Sequence, residues 1–286
     1  MIPAFDARPF CASLAGIDRV PLSNPHTHFI TIVFRSIMTT REESMDAETR
    51  VRFASILCRE ICAGLELPPR PSLTAVHLVR VVYKQSSEQV LQTITCPVLA
   101  EVCVLLAGKT EEEPRAMSVK AICKTSLRIE AVRNLHQFEY AESLLGDKIR
   151  ALKQAEMTIL AAMGFVVPGS AVTIYPHRYL VWLLEILAPV KGEEGEDSDE
   201  TKLAGAAWGY LNDAMILDLA AVDPKATTFD VACAALLLAG FELQVPLPNH
   251  PRPWLEAVGA NEEAVERIAT ELSTLVFEWE CPKWIL

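Results

Sequence analysis

The sequence has 286 residues, 51% of them apolar, which is enough for about two domains with substantial cores. Its 26 lysines and arginines are outnumbered by 37 acidic residues, so the net charge is −11 and the pI is near 5.1. This acidic balance, without any Lys/Arg-rich segment, argues against direct binding to nucleic acid. No apolar run reaches the ~18 residues of a membrane span, and the start lacks a basic leader, so we expect no membrane association and no secretion.

Helical spacing begins at residue 46, after an N-terminal extension (1–45) of mixed composition. Apolar residues at three- and four-residue intervals indicate five helices. These lie at 46–63, at 72–84, at 96–108, from about residue 114, and at 147–163. The connector 67–71 contains three prolines and is predicted to be non-helical. A glycine and a proline in 164–168 then end a first unit, 46–168.

The third predicted helix is apolar nearly all round, which is typical of a helix at the centre of a protein. It ends in LLAGKTEEEP (105–114), where Gly108 suits the closing turn and Lys109 suits the negative end of the helix. The letters LLAG return after 132 residues, from Leu105 to Leu237, and the second copy has Phe241 in place of Lys109. A repeat of this length fits two copies of a small domain.

The second unit, 169–286, has helical patterns at 179–187, 203–219, 229–241 and 261–277, the last with Asn261 as a cap. Segment 191–200 is acidic and lacks apolar residues, so it is predicted to be a mobile, solvated loop. Ser198 within it is a candidate phosphorylation site, although a plain solvated loop is the simpler interpretation. The overall prediction is an all-α protein of two tandem five-helix units.

The sequence shows no metal site, cofactor site or catalytic centre. His26 and His28 are close together, and Cys58 and Cys62 are one helical turn apart, but neither pair has further ligands at metal-binding spacing. The patterns GxxxxGK[ST], GxGxxG and GxSxG are absent. We therefore expect no cofactor, no metal and no enzymatic activity. The eight cysteines lie mostly within apolar helical patterns, which favours buried thiols and a reducing compartment.

Two tandem five-helix units, each around an apolar third helix, resemble the cyclin boxes of the cyclin family. In the first unit the resemblance rests on LLAGKTEEEP and on LKQAEMTILAAMGF (152–165), where a glutamate precedes a phenylalanine by nine residues. The second unit is most similar to the L-type branch of the transcriptional cyclins (L-, K- and T-type). The similar strings are WGYLND (208–213), VPLPNHPRPW (245–254) and GANEE (259–263). The chain departs from cell-cycle cyclins at ETRVR (48–52), which replaces their hydrophobic substrate-docking motif.

The resemblance implies a non-catalytic regulatory subunit that binds a cyclin-dependent kinase. In cyclins, a lysine at the end of the third helix and a glutamate of the fifth helix contact the kinase helix that must swing inward for activity. The resemblance therefore implies kinase contacts for Lys109 and Glu156, with apolar contacts from Leu160 and Phe165. The residues alone allow a second interpretation. Lys109 can simply complement the dipole at the helix end, and Glu156 can lie at the surface or form a contact within the chain. Leu160 and Phe165 can equally well pack in the core.

The resemblance also implies a nuclear protein that acts in RNA polymerase II transcription or pre-mRNA splicing. Two alternatives stay open. A TFIIB-like general transcription factor shares this fold, but the acidic charge and the lack of an N-terminal zinc ribbon in the sequence count against it. The other alternative is a helical scaffold with no kinase partner.

Overall fold

The computed structural model describes residues 46–133, 142–168, 175–187, 199–249 and 252–278, which all belong to one compact unit. Every regular element in these ranges is helical, so the predicted all-α fold is confirmed for the described residues. None of the helices in these ranges is long and apolar enough to cross a bilayer. The extension 1–45, including His26 and His28, lies outside the described residues, as do residues 191–198 of the acidic segment.

The first group of helices packs around one apolar helix, as the sequence predicts. Its members are α1 (Ala47–Gly64), α2 (Pro69–Gln85), the short α3 (Glu88–Gln92), α4 (Cys96–Thr110), a 3-10 turn (Pro114–Met117), α5 (Val119–Arg133) and α6 (Glu142–Ala162). The central helix is α4, which is buried almost continuously from Cys96 to Gly108 and contacts α1, α2, α5 and α6. An apolar helix without a polar face can be stable only where other helices cover it on all sides.

The second group repeats this plan around α10. Its members are α7 (Arg178–Leu187), α8 (Asp199–Ala214), the short α9 (Leu219–Val222), α10 (Thr228–Leu243), the short α11 (Trp254–Val258), α12 (Glu262–Ser273) and a π-helical turn (Thr274–Glu278). A capping box closes the start of α10, because Thr227 and Asp230 each accept a hydrogen bond from the backbone of the other. The predicted cap of the last helix is confirmed, because Asn261 accepts a hydrogen bond from the amide of Ala264.

Three predicted boundaries are wrong. The connector 67–71 is not free of helix, because α2 begins at Pro69; prolines fit the first turn, where amide groups lack intrahelical partners anyway. Asp199 and Glu200 belong to the first turn of α8 rather than to the acidic loop, because acids are favourable at a helix start. The predicted helix 203–219 stops at Ala214, after which the buried Ile216 and Leu217 turn towards the core.

Charged contacts join the two groups. Arg80 of α2 donates hydrogen bonds to Glu48 of α1 and to the carbonyl of Ile216. Its guanidinium group also forms an ion pair with Asp218 at 3.5 Å. Lys84 donates to Asp218 at 3.1 Å, and Arg59 is paired with Asp213. These contacts lie at the end of α8 and directly after it. The chain there packs against the first group instead of continuing the helix that the sequence pattern predicts up to residue 219.

Candidate functional site

Lys109 and Glu156 form an ion pair on the surface of the first group. Lys109 lies in the last turn of α4 and Glu156 lies in α6, and the Lys109 Nζ is 2.5 Å from the Glu156 Oε1. The lysine side chain is 51% exposed, whereas the glutamate side chain is 14% exposed. The pair therefore bridges the two helices while the ammonium group remains open to solvent on one side.

The close approach of α4 to the following 3-10 turn positions Lys109. An added Cβ at Gly108 would lie 2.5 Å from the Ala116 Cβ and 2.7 Å from its carbonyl carbon, so only glycine fits this contact without a shift. The backbone amide of Glu113 donates to the carbonyl of Gly108 at 2.9 Å and fixes the turn that follows. Gly108 thus lets the end of α4 lie flat against its neighbour and directs Lys109 outwards.

Two of the three glutamates that follow Lys109, Glu111 and Glu113, have other partners than this lysine. Glu111 is almost fully buried, pairs with Arg70 at 3.0 Å and accepts a hydrogen bond from Thr74 at 2.7 Å. Glu113 pairs with Arg115 at 3.2 Å. The hydroxyl of Thr74 also contacts that of Tyr175 at 2.6 Å. The acidic turn therefore ties α4 to α2 and to the start of the second group, and the sequence pattern alone did not indicate this role.

Apolar side chains surround the ion pair on α6 and directly after it. Leu160 lies one helical turn after Glu156 and is half-buried against the core. Phe165 and Val166 are 64% and 70% exposed, and Met157, next to Glu156, is also exposed. Phe165 has a φ of +59°, a left-handed conformation that is unusual for a bulky residue and stores strain. A strained, exposed aromatic is unfavourable in the isolated chain and is typical of an interaction surface.

The equivalent place in the second group differs in chemistry. Phe241 of α10 stands where the repeat has Lys109, and it is 86% exposed. Its neighbour Glu242 accepts a hydrogen bond from the Tyr210 hydroxyl at 2.9 Å. Burial, with Glu242 adding to it, raises the pKa of Tyr210 to about 12. The two groups thus share a fold but present different surfaces at the ends of their central helices.

Beneath the site lies a buried charge cluster that sequence reasoning missed. Glu101 of α4 has no exposed surface, and its Oε1 is 2.7 Å from the Lys148 Nζ of α6. The same ammonium group contacts Glu130 of α5. Burial raises the pKa of Glu101 to about 7, an effect that Lys148 partly offsets. Burial also lowers the pKa of Lys148, but the two carboxylates outweigh it and keep the lysine protonated.

The cluster links α4, α5 and α6 through Glu101, Glu130 and Lys148. Two of these helices, α4 and α6, also carry Lys109 and Glu156, so the cluster supports the ion pair from below. The signal in the sequence is an acid inside an otherwise apolar helix, since such a carboxylate needs a buried partner. The identity of that partner is a matter of packing, because Glu101 and Lys148 are 47 residues apart.

The cysteines that the structure describes have buried thiols and form no disulfides. The predicted burial of the thiols is confirmed for Cys58, Cys62, Cys103 and Cys233, which are free and buried. Within the described ranges no group of three or more potential ligands is arranged to hold a metal ion.

Comparison with known proteins yields cyclins. Cyclin-L1 of Xenopus laevis is 31% identical over 172 residues, 60% of this chain and 31% of that protein. Cyclin-L2 of Homo sapiens is 29% identical over 177 residues, covering 60% of this chain and 30% of that protein. The cyclin L homolog cyl-1 of Caenorhabditis elegans is 29% identical over 266 residues, or 84% of this chain and 50% of that protein. The chain thus spans half or less of the length of these relatives.

No family model matches the chain. A chain of the crystal structure of the yeast RNA Pol II CTD kinase CTDK-1 complex aligns with a TM-score of 0.49 at 17% identity, over 90% of this chain and 72% of that chain. The assignment rests on the sequence relatives, which include L-type cyclins from vertebrates and a nematode. By sequence the chain is similar to members of the cyclin family, and the relatives that it matches are L-type cyclins.

Proposed function

We propose that this protein is a non-catalytic regulatory subunit that binds and activates a cyclin-dependent kinase. Sequence similarity to cyclins supports the partner class. The observation that carries the proposal is the surface ion pair of Lys109 and Glu156, which is followed along the chain by the half-buried Leu160 and the exposed Phe165. By the same resemblance to L-type cyclins, we propose a nuclear role in RNA polymerase II transcription or pre-mRNA splicing.

The internal ion pair leaves binding capacity for a partner. The Lys109 ammonium group has three donors and uses one on Glu156, and the second carboxylate oxygen of Glu156 can still accept. Because the two charges hold each other in place, little side-chain entropy remains to be lost when a partner binds. A fixed polar pair inside an apolar patch selects the register of a partner helix more than it adds affinity.

The mechanism follows from differential affinity. A kinase is active when its regulatory helix lies inward and completes the lysine–glutamate pair that positions ATP. A subunit that binds this inward conformer better than the outward one shifts the population towards the active state. Leu160, Phe165 and their exposed neighbours offer the apolar area for that contact, and the ion pair offers its polar centre. We also propose 46–168 as the kinase-binding domain and 169–286 as a second cyclin box.

The test is a charge swap between Lys109 and Glu156. Affinity capture from nuclear extract, followed by mass spectrometry, identifies the kinase, and calorimetry then measures its affinity for each variant. Lys109→Glu and Glu156→Lys should each weaken kinase binding by roughly 30-fold to several-thousand-fold, the usual effect of losing one member of a desolvated interfacial charge pair. Each single variant also places like charges side by side, so some loss of thermal stability is expected.

The double variant Lys109→Glu/Glu156→Lys separates structure from recognition. It restores the internal ion pair and should recover the melting temperature, while kinase binding stays weak because both charges now face the partner with the wrong sign. Arg150→Glu is the matched control, since Arg150 also belongs to an ion pair on α6 but lies far along the helix from Glu156. If the double variant binds the kinase normally, the pair is only structural; if the capture yields no kinase, the proposed function is wrong.

A further inference from the structure

Helix α5 presents a basic face on an acidic protein. Lys120, Lys124 and Arg128 recur every four residues and are all exposed. The one acidic residue of α5, Glu130, is turned towards Lys148 and the buried cluster. Among the described residues, no ion pair involves any of the three basic side chains. Within the part of the chain that the structure describes, the face is therefore a row of positive charges without ion-pair partners, on a chain whose net charge is −11.

This arrangement does not favour the helix itself. Lys120 lies in the first turn of α5, where the positive end of the helix dipole repels a cation. The pairs Lys120–Lys124 and Lys124–Arg128 are like charges four residues apart, which destabilise a helix. An acid at any of the three positions would improve α5. A requirement outside the helix explains these residues better than folding does.

The spacing of the charges matches an extended peptide. Residues four apart on one face of a helix are separated by about 6 Å along its axis, so the three charges span about 12 Å. In an extended chain, alternate side chains lie on the same side at intervals of roughly 6.6 Å. A peptide that runs along α5 can therefore place an anionic group opposite each of the three cations.

We propose that the α5 face formed by Lys120, Lys124 and Arg128 binds an extended peptide that carries phosphates on alternate residues. A phosphate carries nearly twice the charge of a carboxylate and has three acceptor oxygens, and the Arg128 guanidinium can pair with it through two parallel hydrogen bonds. A short peptide meets only this local surface, because charges beyond about 8 Å are screened at physiological salt. A nucleic-acid strand extends further and meets the acidic remainder of the molecule. This surface is distinct from the proposed kinase contacts of Lys109 and Glu156 and does not require a kinase.

The experiment measures fluorescence anisotropy of a labelled peptide with three phosphoserines separated by single glycines, mixed with the protein alone. The wild type should bind it, and should bind the same peptide without phosphates at least about tenfold more weakly. Lys124→Glu should lose about tenfold or more in affinity for the phosphopeptide. Lys202→Glu, a reversal of an exposed lysine on α8, should bind as the wild type does.

The melting temperature distinguishes lost binding from lost structure. Lys124→Glu replaces two repulsive pairs by attractive ones, so it should melt at the same or a higher temperature than the wild type while it fails to bind. Equal phosphopeptide affinity in Lys124→Glu and the wild type would overturn the proposal. Tighter binding of single-stranded DNA than of the phosphopeptide, lost in the same variant, would also overturn it and assign the face to nucleic acid. Neither result bears on kinase binding, which the swap of Lys109 and Glu156 tests separately.

Discussion

At the scale of single residues, the buried Glu101 carries the clearest energetic consequence. A carboxylate without exposed surface is costly to ionise, and one ammonium group shared with Glu130 offsets that cost only in part. Folding therefore favours the protonated form of Glu101, and its pKa rises from 4.5 to about 7. The unfolded chain releases this proton at lower pH than the folded chain does, so stability depends on pH between these two values.

We expect Glu101 by itself to lower the free energy of unfolding by up to about 3 kcal/mol as the pH rises from about 4.5 to 7. The sign follows because Glu101 binds more protons in the folded state than in the unfolded state throughout this window, whereas His77 and His177, whose pKa values burial lowers, act in the opposite direction. Glu101→Gln should remove that decline, which urea unfolding at pH 5 and pH 7 measures. Carboxyls with lowered pKa values, such as Asp218 and Glu48, act in the opposite direction and below this window, so comparison with the variant isolates Glu101.

Glu130→Gln is the matched control, because it contacts the same ammonium group but leaves Glu101 in place. This control should retain the decline with rising pH. The same pH dependence in Glu101→Gln as in the wild type would show that Glu101 is not the group that titrates.

At the scale of helices, three glycines on helices probe how tightly each helix is packed. A Cβ added at Gly108 of α4 would lie 2.7 Å from the backbone of Ala116. A Cβ added at its repeat partner Gly240 of α10 would lie 3.2 Å from the carbonyl oxygen of Val245 and 3.3 Å from the Leu247 side chain. Gly146 of α6 has no neighbour within 4 Å of an added Cβ. The same substitution at these places should therefore have three different effects.

Gly108→Ala should destabilise the protein by about 1–3 kcal/mol or more, because a backbone contact at 2.7 Å cannot yield without moving the 3-10 turn. Gly240→Ala should cost less, because the Leu247 side chain can rotate away. Gly146→Ala should stabilise by about 0.5–1 kcal/mol, since alanine is the better helix former and nothing obstructs it. Urea unfolding of the three variants measures the order, and an equal loss in Gly108→Ala and Gly240→Ala would contradict the packing seen at Ala116.

At the scale of the whole molecule, charged side chains join the two helical groups beside one continuous apolar core that includes residues of both. Arg80 is the centre of these contacts, with a side chain only 14% exposed. It reaches Glu48 of its own group and Ile216 and Asp218 of the other. Lys84 and Arg59 add pairs at the same boundary. Coupling between the groups should therefore depend strongly on one guanidinium group.

Arg80→Met should lower the free energy of unfolding by about 2–3 kcal/mol, because the Ile216 carbonyl loses its side-chain donor and Glu48 and Asp218 each lose one of two cationic partners. It should also broaden or split the thermal transition as the two groups begin to unfold separately, which differential scanning calorimetry detects. Arg52→Met is the control, since Arg52 contacts the same Glu48 only within α1 and should cost under about 1 kcal/mol. A single sharp transition in Arg80→Met, with the same small loss as in Arg52→Met, would show that this arginine does not couple the groups.

The sequence by itself determined most of the long helices, though not all their ends or the short helices α3, α9 and α11. It also identified the two helices that lie at the centre. Period and composition suffice for this, because α4 and α10 have no polar face and can be stable only when covered on all sides. The repeat of LLAG and the resemblance of the flanking strings to cyclins likewise identified the family and selected Lys109 and Glu156. The roles of those two residues towards a kinase stay predictions.

Only the tertiary structure decided which side chains meet. The pairing of Lys109 with Glu156, of Glu101 with Lys148 and of Glu111 with Arg70 joins residues far apart in the chain. Local periodicity carries no information on such pairs, because it describes one helix at a time. The end of α8 at Ala214 has the same origin: the chain there satisfies Arg80 and Lys84 of another helix, and that contact outweighs the local helical preference.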